Sequence, residues 1–434
     1  MNPATPETVN IFIRLFEILN IVISVIFMVC YSYQFFYIPV SWFKKEKPRK
    51  KEVVLHRFAA LISARNEEAV IADLVRSLKT QTYPAEYLSV FVLADNCTDK
   101  TAEAARKAGA IVYERENHEE VGKGYALREL RRHLNEDYPE GFDGYFIFDA
   151  DNILSKNYVE EMNKTFSQGY DVLTSYRNTK NYGQNWIAAG MGLWFLRETR
   201  YLHYPRHLLG VSCTVSGTGY LFSRKIADEI VDWPYHMMTE DLEFSADMIS
   251  KRHLIGMCFQ AEFFDEQPVK MSESWNQRVR WGKGYIQVIR GCFGKLFRSI
   301  KYGFSAPDMI LNIAPAYFLT LFSVILSIPL IIGAIVTGAD LMPLVWSFVR
   351  LVVGTYLLVF LLGSITTVTE WKRIHTKTWK KILYMFTFPI FLFTFIPVVF
   401  GALLLKVRWK EIKHPMSMEK MKEAGLADDD ELFK

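Results

Sequence analysis

Residues 18–43, 309–339 and 382–405 contain no Asp, Glu, Lys or Arg, and 341–369 contains only Arg350. An α-helix crosses a bilayer with about 20 apolar residues, so each tract is long enough to span. That excludes an ordinary soluble enzyme, a fibre and a disordered chain. The overall charge content, 51 basic and 47 acidic residues among 434 with a net charge of +4, is unexceptional; its distribution is not. Such a small net charge gives no argument for a nucleic-acid partner. Between the tracts, residues 52–285 have ordinary globular composition and enough length for one domain with its own core.

The first tract is too long for a secretory signal and has no small-residue cleavage site after it. Lys44, Lys45, Lys47, Arg49, Lys50 and Lys51 follow directly, and basic residues beside a span stay cytoplasmic. This places the domain in the cytosol, on a multi-pass protein of the cell membrane. Residues 286–301 carry Ile289, Cys292, Phe293, Leu296, Phe297 and Ile300 against Arg290, Lys295, Arg298 and Lys301, the pattern of a helix lying in the membrane interface. Three crossings after the domain would leave the end of the chain outside, whereas Lys406, Arg408, Lys410 and Lys413 mark it as inside. Pro389 and Pro397 make the last tract the one expected to be broken or re-entrant. The expected division is 1–51 (span and basic linker), 52–285 (cytosolic domain), 286–303 (interface helix), 304–413 (membrane region) and 414–434 (mobile acidic tail with Asp428–Glu431). Five scattered cysteines without Cys-x-x-Cys spacing speak against zinc or a disulfide framework.

Within 55–180, apolar runs at Phe58–Ser63, Val90–Asp95, Ala110–Tyr113 and Tyr145–Asp149 read as strands, and 67–80, 98–108 and 122–134 as helices. Such alternation predicts an α/β domain with a mostly parallel sheet, whose ligands bind at the carboxyl ends of the strands. Asp149 and Asp151 stand at such an end, where two carboxylates can hold a hard cation shared with phosphates; a polar turn closing the strand would look the same. Asp95 ends the preceding strand, suited to a ribose or base, or to capping a helix. Lys123 in Gly122-Lys123-Gly124 opens a helix where phosphate can bind, without P-loop spacing. Thr239-Glu240-Asp241 offers a proton acceptor or a plain helix start. Gln277-Arg278-Val279-Arg280-Trp281 offers guanidiniums for a diphosphate and an indole for a sugar face, or a basic-aromatic membrane belt.

Taken in order and between spans, Asp95, Asp149/Asp151, Thr239-Glu240-Asp241 and Gln277-Arg278-Val279-Arg280-Trp281 resemble the processive family 2 glycosyltransferases, which include cellulose, chitin and hyaluronan synthases. The resemblance implies a GT-A (nucleotide-diphospho-sugar transferase) fold flanked by transmembrane helices. It implies donor contacts from Asp95, Arg65, Glu67, Lys123, Asp149, Asp151 and Arg280. Asp149 and Asp151 would engage Mg²⁺ or Mn²⁺, and Asp241 would be the general base. Acceptor contacts fall on Trp281, Gln277, Arg278, Gly219 and Glu240, with Gln277 and Arg278 also supporting the leaving nucleotide.

The implied activity is inverting, processive transfer from a UDP-sugar, by preference UDP-glucose, to a growing β-linked polysaccharide such as a β-glucan. The product is passed through the bilayer by the protein's own spans, with or without accessory export proteins. Alternatives are a poly-N-acetylglucosamine, chitin-like or hyaluronan-like synthase using UDP-N-acetylglucosamine, a single-transfer enzyme acting on a lipid, and, in another class, a non-catalytic transporter or scaffold.

Overall fold

The computed structural model describes residues 10–46, 48, 50–407, 414, 417, 419 and 420. Lys47, Arg49, Arg408, Lys410, Lys413 and the acidic run Asp428–Glu431 lie outside the described residues.

Strands β1 (Phe58–Ala64), β2 (Leu88–Asp95), β3 (Ile111–Arg115), β4 (Gly144–Asp149), β5 (Ile153–Leu154), β6 (Val172–Thr179), β7 (Tyr220–Ser223) and β8 (Ile255–Asp265) form one sheet in the order β3-β2-β1-β4-β7-β6-β8-β5. β1 pairs in parallel with β2 and β4, β2 with β3, and β6 with β8. β7 runs antiparallel to β4 and β6, and the short β5 antiparallel to β8. The sheet is therefore mostly parallel, as expected, with one reversed strand inserted at its centre.

β1 alternates its side chains between two apolar layers and is buried on both faces, which explains its unbroken apolar sequence. Phe58, Ala60 and Ile62 pack with α2 (Ile71–Lys79), α3 (Thr101–Lys107) and α5 (Tyr158–Phe166). Ala59 and Leu61 belong to the layer shared with α4 (Lys123–Asp137), α6 (Trp186–Glu198), α8 (Arg224–Glu229) and α9 (Glu240–Ser250). The pairing Ser63↔Leu93 and Ser63↔Asp149 brings the ends of β2 and β4 level. Thr179↔Asp265 does the same for β6 and β8.

A single π-helical stretch, Thr199–His203, joins α6 to α7 (Tyr204–Leu209). The expected interface helix is not separate: α10 runs from Met271 to Ser299, so position 285/286 falls inside one continuous helix. Nothing between those ends breaks it, because the segment contains no proline.

Helices long and apolar enough to cross a membrane are α1 (Ile11–Phe43), α11 with α12 (Ser305–Ile313, Pro315–Val336), α13 (Met342–Thr369) and α14 with α15 (Thr378–Phe393, Phe395–Leu404). They are similarly apolar, but of the most apolar 18-residue stretch of the last, 39% is buried in the protein, against 11%, 6% and 17% in the others. α14 and α15 lie along the domain. Lys380 donates to the Gly183 carbonyl (2.5 Å), the Phe391 ring meets Gly190, and Ala402 meets Gly282 of α10. Elsewhere, buried polar contacts tie the apolar helices down. Arg206 of α7 pairs with Asp308 of α11, and Tyr176 of β6 donates to Glu370 at the end of α13 (2.6 Å).

Candidate active site

The level strand ends create a cleft, and most of the expected residues line it: Arg65, Glu67, Asp95, Lys123, Asp149, Asp151, Glu240, Asp241, Gln277, Arg280 and Trp281. The turn after β1 is fixed by Asn66, whose left-handed backbone (φ 55°) presents its side-chain oxygen to the Thr98 backbone N–H at 2.8 Å. Asp95 reaches the cleft while its Oδ1 accepts from Arg115 (2.7 Å) and Asn96 (3.0 Å).

Lys123 donates to Asp149 Oδ1 and to the Gly217 carbonyl (2.6 Å). Burial disfavours its ammonium, but the negative charges of Asp149, Glu240 and Asp241 prevail and raise its pKa. Asp149 donates its backbone N–H to the Thr218 hydroxyl (2.9 Å). Asp151 Oδ2 accepts from the Glu266 backbone N–H (2.7 Å). Burial opposes the Asp151 carboxylate, yet His414, Lys180 and that N–H hold its pKa below the ordinary value.

Asp149 and Asp151 supply hard oxygen donors, while among the described residues no group of three or more His, Cys, Asp or Glu side chains could hold an ion alone. This set fits a cation such as Mg²⁺ or Mn²⁺, which binds through one or two carboxylates and completes its shell with phosphate oxygens and water.

Opposite the strand ends, α9 starts at Glu240, so Glu240 and Asp241 stand in the first helical turn. Glu240 is pushed up to about 7 by burial and by the adjacent Asp241 charge, with Lys123 opposing. Burial also raises Asp241, against the α9 backbone amides and Lys123. α10 backs this turn closely. A Cβ on Gly284 would lie 2.8 Å from the Thr239 nitrogen, so only glycine leaves room there. Gln277, Trp281 and Tyr285 recur every four residues and line the cleft along one face of α10, with Arg280 beside them.

Two expected residues point elsewhere. Arg278, one residue on from Gln277, is turned about 100° around the helix. It is buried against α14–α15, donating to Thr394 Oγ1 (2.6 Å) with its guanidinium 4.8 Å and 4.7 Å from the rings of Phe391 and Phe395. Gly219 does not line the cleft; its nitrogen donates to Ile147, its carbonyl accepts from Ser175, and the Phe263 ring fills the space where a side chain would go. Ser216 and Gly217 line the cleft instead.

Other cleft residues carried no sequence signal. Asp265 ends β8 and accepts from Arg177 (2.7 Å) and Gln267 (2.7 Å). Its place at a strand end was the available clue, but β8 lies beyond the stretch of regular alternation. His414, the first residue of the expected mobile tail, sits in the cleft with Nδ1 2.9 Å from Glu67 Oε1. Burial disfavours its imidazolium, yet Asp151 and Glu67 overcome this and raise its pKa to about 10, so it is a cation at neutral pH.

A mostly parallel sheet with carboxylates at its strand ends, facing an acidic helix start and a basic-aromatic helix, defines a GT-A glycosyltransferase. Residues 56–284 match the family described as "Glycosyltransferase like family 2", and the chain belongs to that family.

Among curated relatives it is 24% identical over 242 residues to the β-monoglucosyldiacylglycerol synthase of Synechocystis, covering 52% of this chain and 47% of that one. It is 23% identical over 276 residues to the poly-β-1,6-N-acetyl-D-glucosamine synthase of Staphylococcus epidermidis, covering 60% and 64%. It is also 24% identical to the probable glycosyltransferase YdaM of Bacillus subtilis, covering 59% and 62%. The chain thus spans about half to two thirds of the length of these relatives. A mannosyltransferase from Pyrobaculum calidifontis, solved with GDP-Man and Mn²⁺, shares the fold at a TM-score of 0.58 and 14% identity, covering 90% of this chain and 99% of that one.

Proposed function

We propose that the protein is an inverting, processive glycosyltransferase that transfers from a UDP-sugar, by preference UDP-glucose, to a growing β-linked polysaccharide. The observation that carries this reading is what the cleft brings together. The carboxylates Asp149, Asp151 and Asp241, the α10 residues Gln277, Trp281 and Tyr285, and Asn312 of the first apolar helix after the domain all line one cavity. Nucleotide chemistry and a membrane-length helix sharing one cavity suit an acceptor chain that is extended and exported.

Asp95, with the Arg65–Glu67 turn, binds the nucleoside end. Asp149 and Asp151 would hold Mg²⁺ or Mn²⁺, which would supply positive charge to neutralise the leaving diphosphate. Asp241 takes the proton of the acceptor hydroxyl, and the oxygen attacks the anomeric carbon on the face opposite the diphosphate. The bond to UDP breaks and the configuration inverts. A base raised towards neutrality suits that proton transfer. Arg280 and Gln277 bond to the departing diphosphate, and Trp281 stacks on the acceptor sugar.

The membrane arrangement is part of the same reading. His414 beside Glu67 on the catalytic face supports an even number of crossings between Ser305 and His414. In this reading α11–α12 and α13 are that pair, and α14–α15, the most protein-covered of the apolar helices, lies along the domain without crossing. The basic cluster at Lys44–Lys51 supports a cytosolic position for this face.

A second reading, a single transfer to a diacylglycerol-type lipid, draws on the names of the glucosyldiacylglycerol relatives. UDP release from a panel of UDP-sugars, with product sizing, tests the proposal. Polymer from UDP-glucose supports it, a monoglycosylated lipid replaces it with the second reading, and unchanged turnover in Asp241→Asn refutes the assigned base.

A further inference from the structure

Glu198 closes α6 where the π-helical stretch begins. A π turn adds a residue to the helical repeat, offsetting the next helical segment by about 100° around the axis. This lets α6 keep Met191 and Phe195 packed on Phe391 while α7 aims Arg206 at Asp308. At the junction the Glu198 side chain, 17% exposed, opens into the cleft that contains Asp241, Trp281 and Tyr285.

Its one ionic neighbour among the described residues is the His203 ring, 4.0 Å away and beyond hydrogen-bond reach. That ring faces Thr214 at 3.1 Å, and burial depresses its pKa to about 3, leaving it uncharged. Arg177, Arg197 and Arg206 act on Glu198 from a distance, but burial outweighs them and raises its pKa. With no hydrogen-bond donor among the described residues, the carboxyl faces the cleft able to bond what enters it. The cleft also receives Asn312, a second hydrogen-bonding side chain, from the apolar side. Two such groups in one cleft with the rings of Trp281 and Tyr285 match the chemistry of a pyranoside, with hydroxyls at its rim and an apolar face.

The geometry points to Glu198, with Asn312, as an acceptor subsite in the cleft shared with Asp241, bonding the hydroxyls of the acceptor's terminal pyranose. This rests on the proposed transferase function and adds residues that set acceptor affinity without touching the donor.

The test uses the full-length protein in nanodiscs, with UDP release measured against cellotetraose and chitotetraose and, separately, donor hydrolysis without acceptor. Glu198→Ala and Asn312→Ala should each raise the KM for a stimulating oligosaccharide about tenfold or more. Glu198→Gln, which can still bond a hydroxyl, should recover part of that loss. The donor KM and acceptor-free hydrolysis should stay within twofold of wild type. An acceptor KM unmoved in Glu198→Ala overturns the assignment. So does a parallel fall in hydrolysis, which would mark a structural role, or a wild type stimulated by neither oligosaccharide. A wild type that releases UDP from no UDP-sugar fails the transferase reading itself, an outcome distinct from all of these.

Discussion

The approach of α9 to α10 at Gly284 makes a sharp prediction about how Asp241, the proposed general base, is held. A Cβ in Gly284→Ala would sit 2.5 Å from Thr239 Cγ2 and 2.8 Å from its backbone nitrogen, where ordinary contact begins at 3.4 Å. The backbone entering Glu240-Asp241 must therefore retreat by about 0.6 Å. Overpacking of this kind costs about 1–3 kcal/mol, partly offset by the ~1 kcal/mol that alanine gains over glycine within a helix. Net stability should fall by about 0–2 kcal/mol. Activity should change more, because a displacement near 1 Å at a reacting group can cost on the order of 10²-fold; a loss of ~10-fold or more in kcat is expected. The donor KM should hold, since Asp95, Asp149 and Asp151 sit on or beside other elements, β2 and β4. UDP release at saturating donor, read beside thermal unfolding, separates the two effects. Gly294→Ala is the control, on the same helix with nothing within 4 Å of its added carbon. A Gly284→Ala enzyme with kcat within twofold of wild type would refute the claim that this contact positions Asp241.

Burial raises Asp241 above the ordinary carboxylate value, so activity should show an acidic limb displaced upward from that range; a pH–rate profile with no such limb counts against Asp241 as the base. Burial and the Asp241 charge raise Glu240 to about 7, so Asp241→Asn should let Glu240 titrate at lower pH, read by NMR titration; a Glu240 titration that stays put counts against the coupling. A carboxyl raised on folding contributes stability below its free value of 4.5 and loses it as pH rises through about 7, so Glu240→Gln should also flatten unfolding stability across that window. Arg280→Ala should cost about 10²–10³-fold in kcat if its guanidinium meets the leaving diphosphate. Arg278→Ala should instead lower the thermal midpoint and leave the donor KM within about threefold, because its partners are Thr394, Phe391 and Phe395. Chelation with EDTA should abolish UDP release, and added Mn²⁺ or Mg²⁺ should restore it; full activity after exhaustive chelation would remove the cation from the mechanism.

Much of the site was legible because its residues sit at element boundaries that local patterns reveal. Asp95 and Asp149 follow apolar runs that can only be buried strands, and Glu240-Asp241 precedes a run of helix formers. Arg278 was misplaced because a basic-aromatic motif does not say which side of a helix faces the ligand; that depends on α14–α15 occupying the other side. The acceptor contact that the resemblance implies for Gly219 is not met, because the Phe263 ring, far off in the chain, occupies the space beside it. Asp265 and Glu198 were invisible, since nothing local separates them from surface carboxylates.

The uncharged tracts by themselves determined that this chain carries membrane-length helices around an α/β domain, because apolar length and the alternation of strand and helix patterns are local properties. They also left a parity problem, an odd number of crossings against basic residues on both sides. Only the tertiary structure bears on it: the last tract is laid along α6 and α10, and His414 sits beside Glu67. The reason is physical. Hydropathy measures whether a helix can leave water, but whether it is covered by lipid or by protein depends on the surface it meets, and that surface is built from residues far away in the chain.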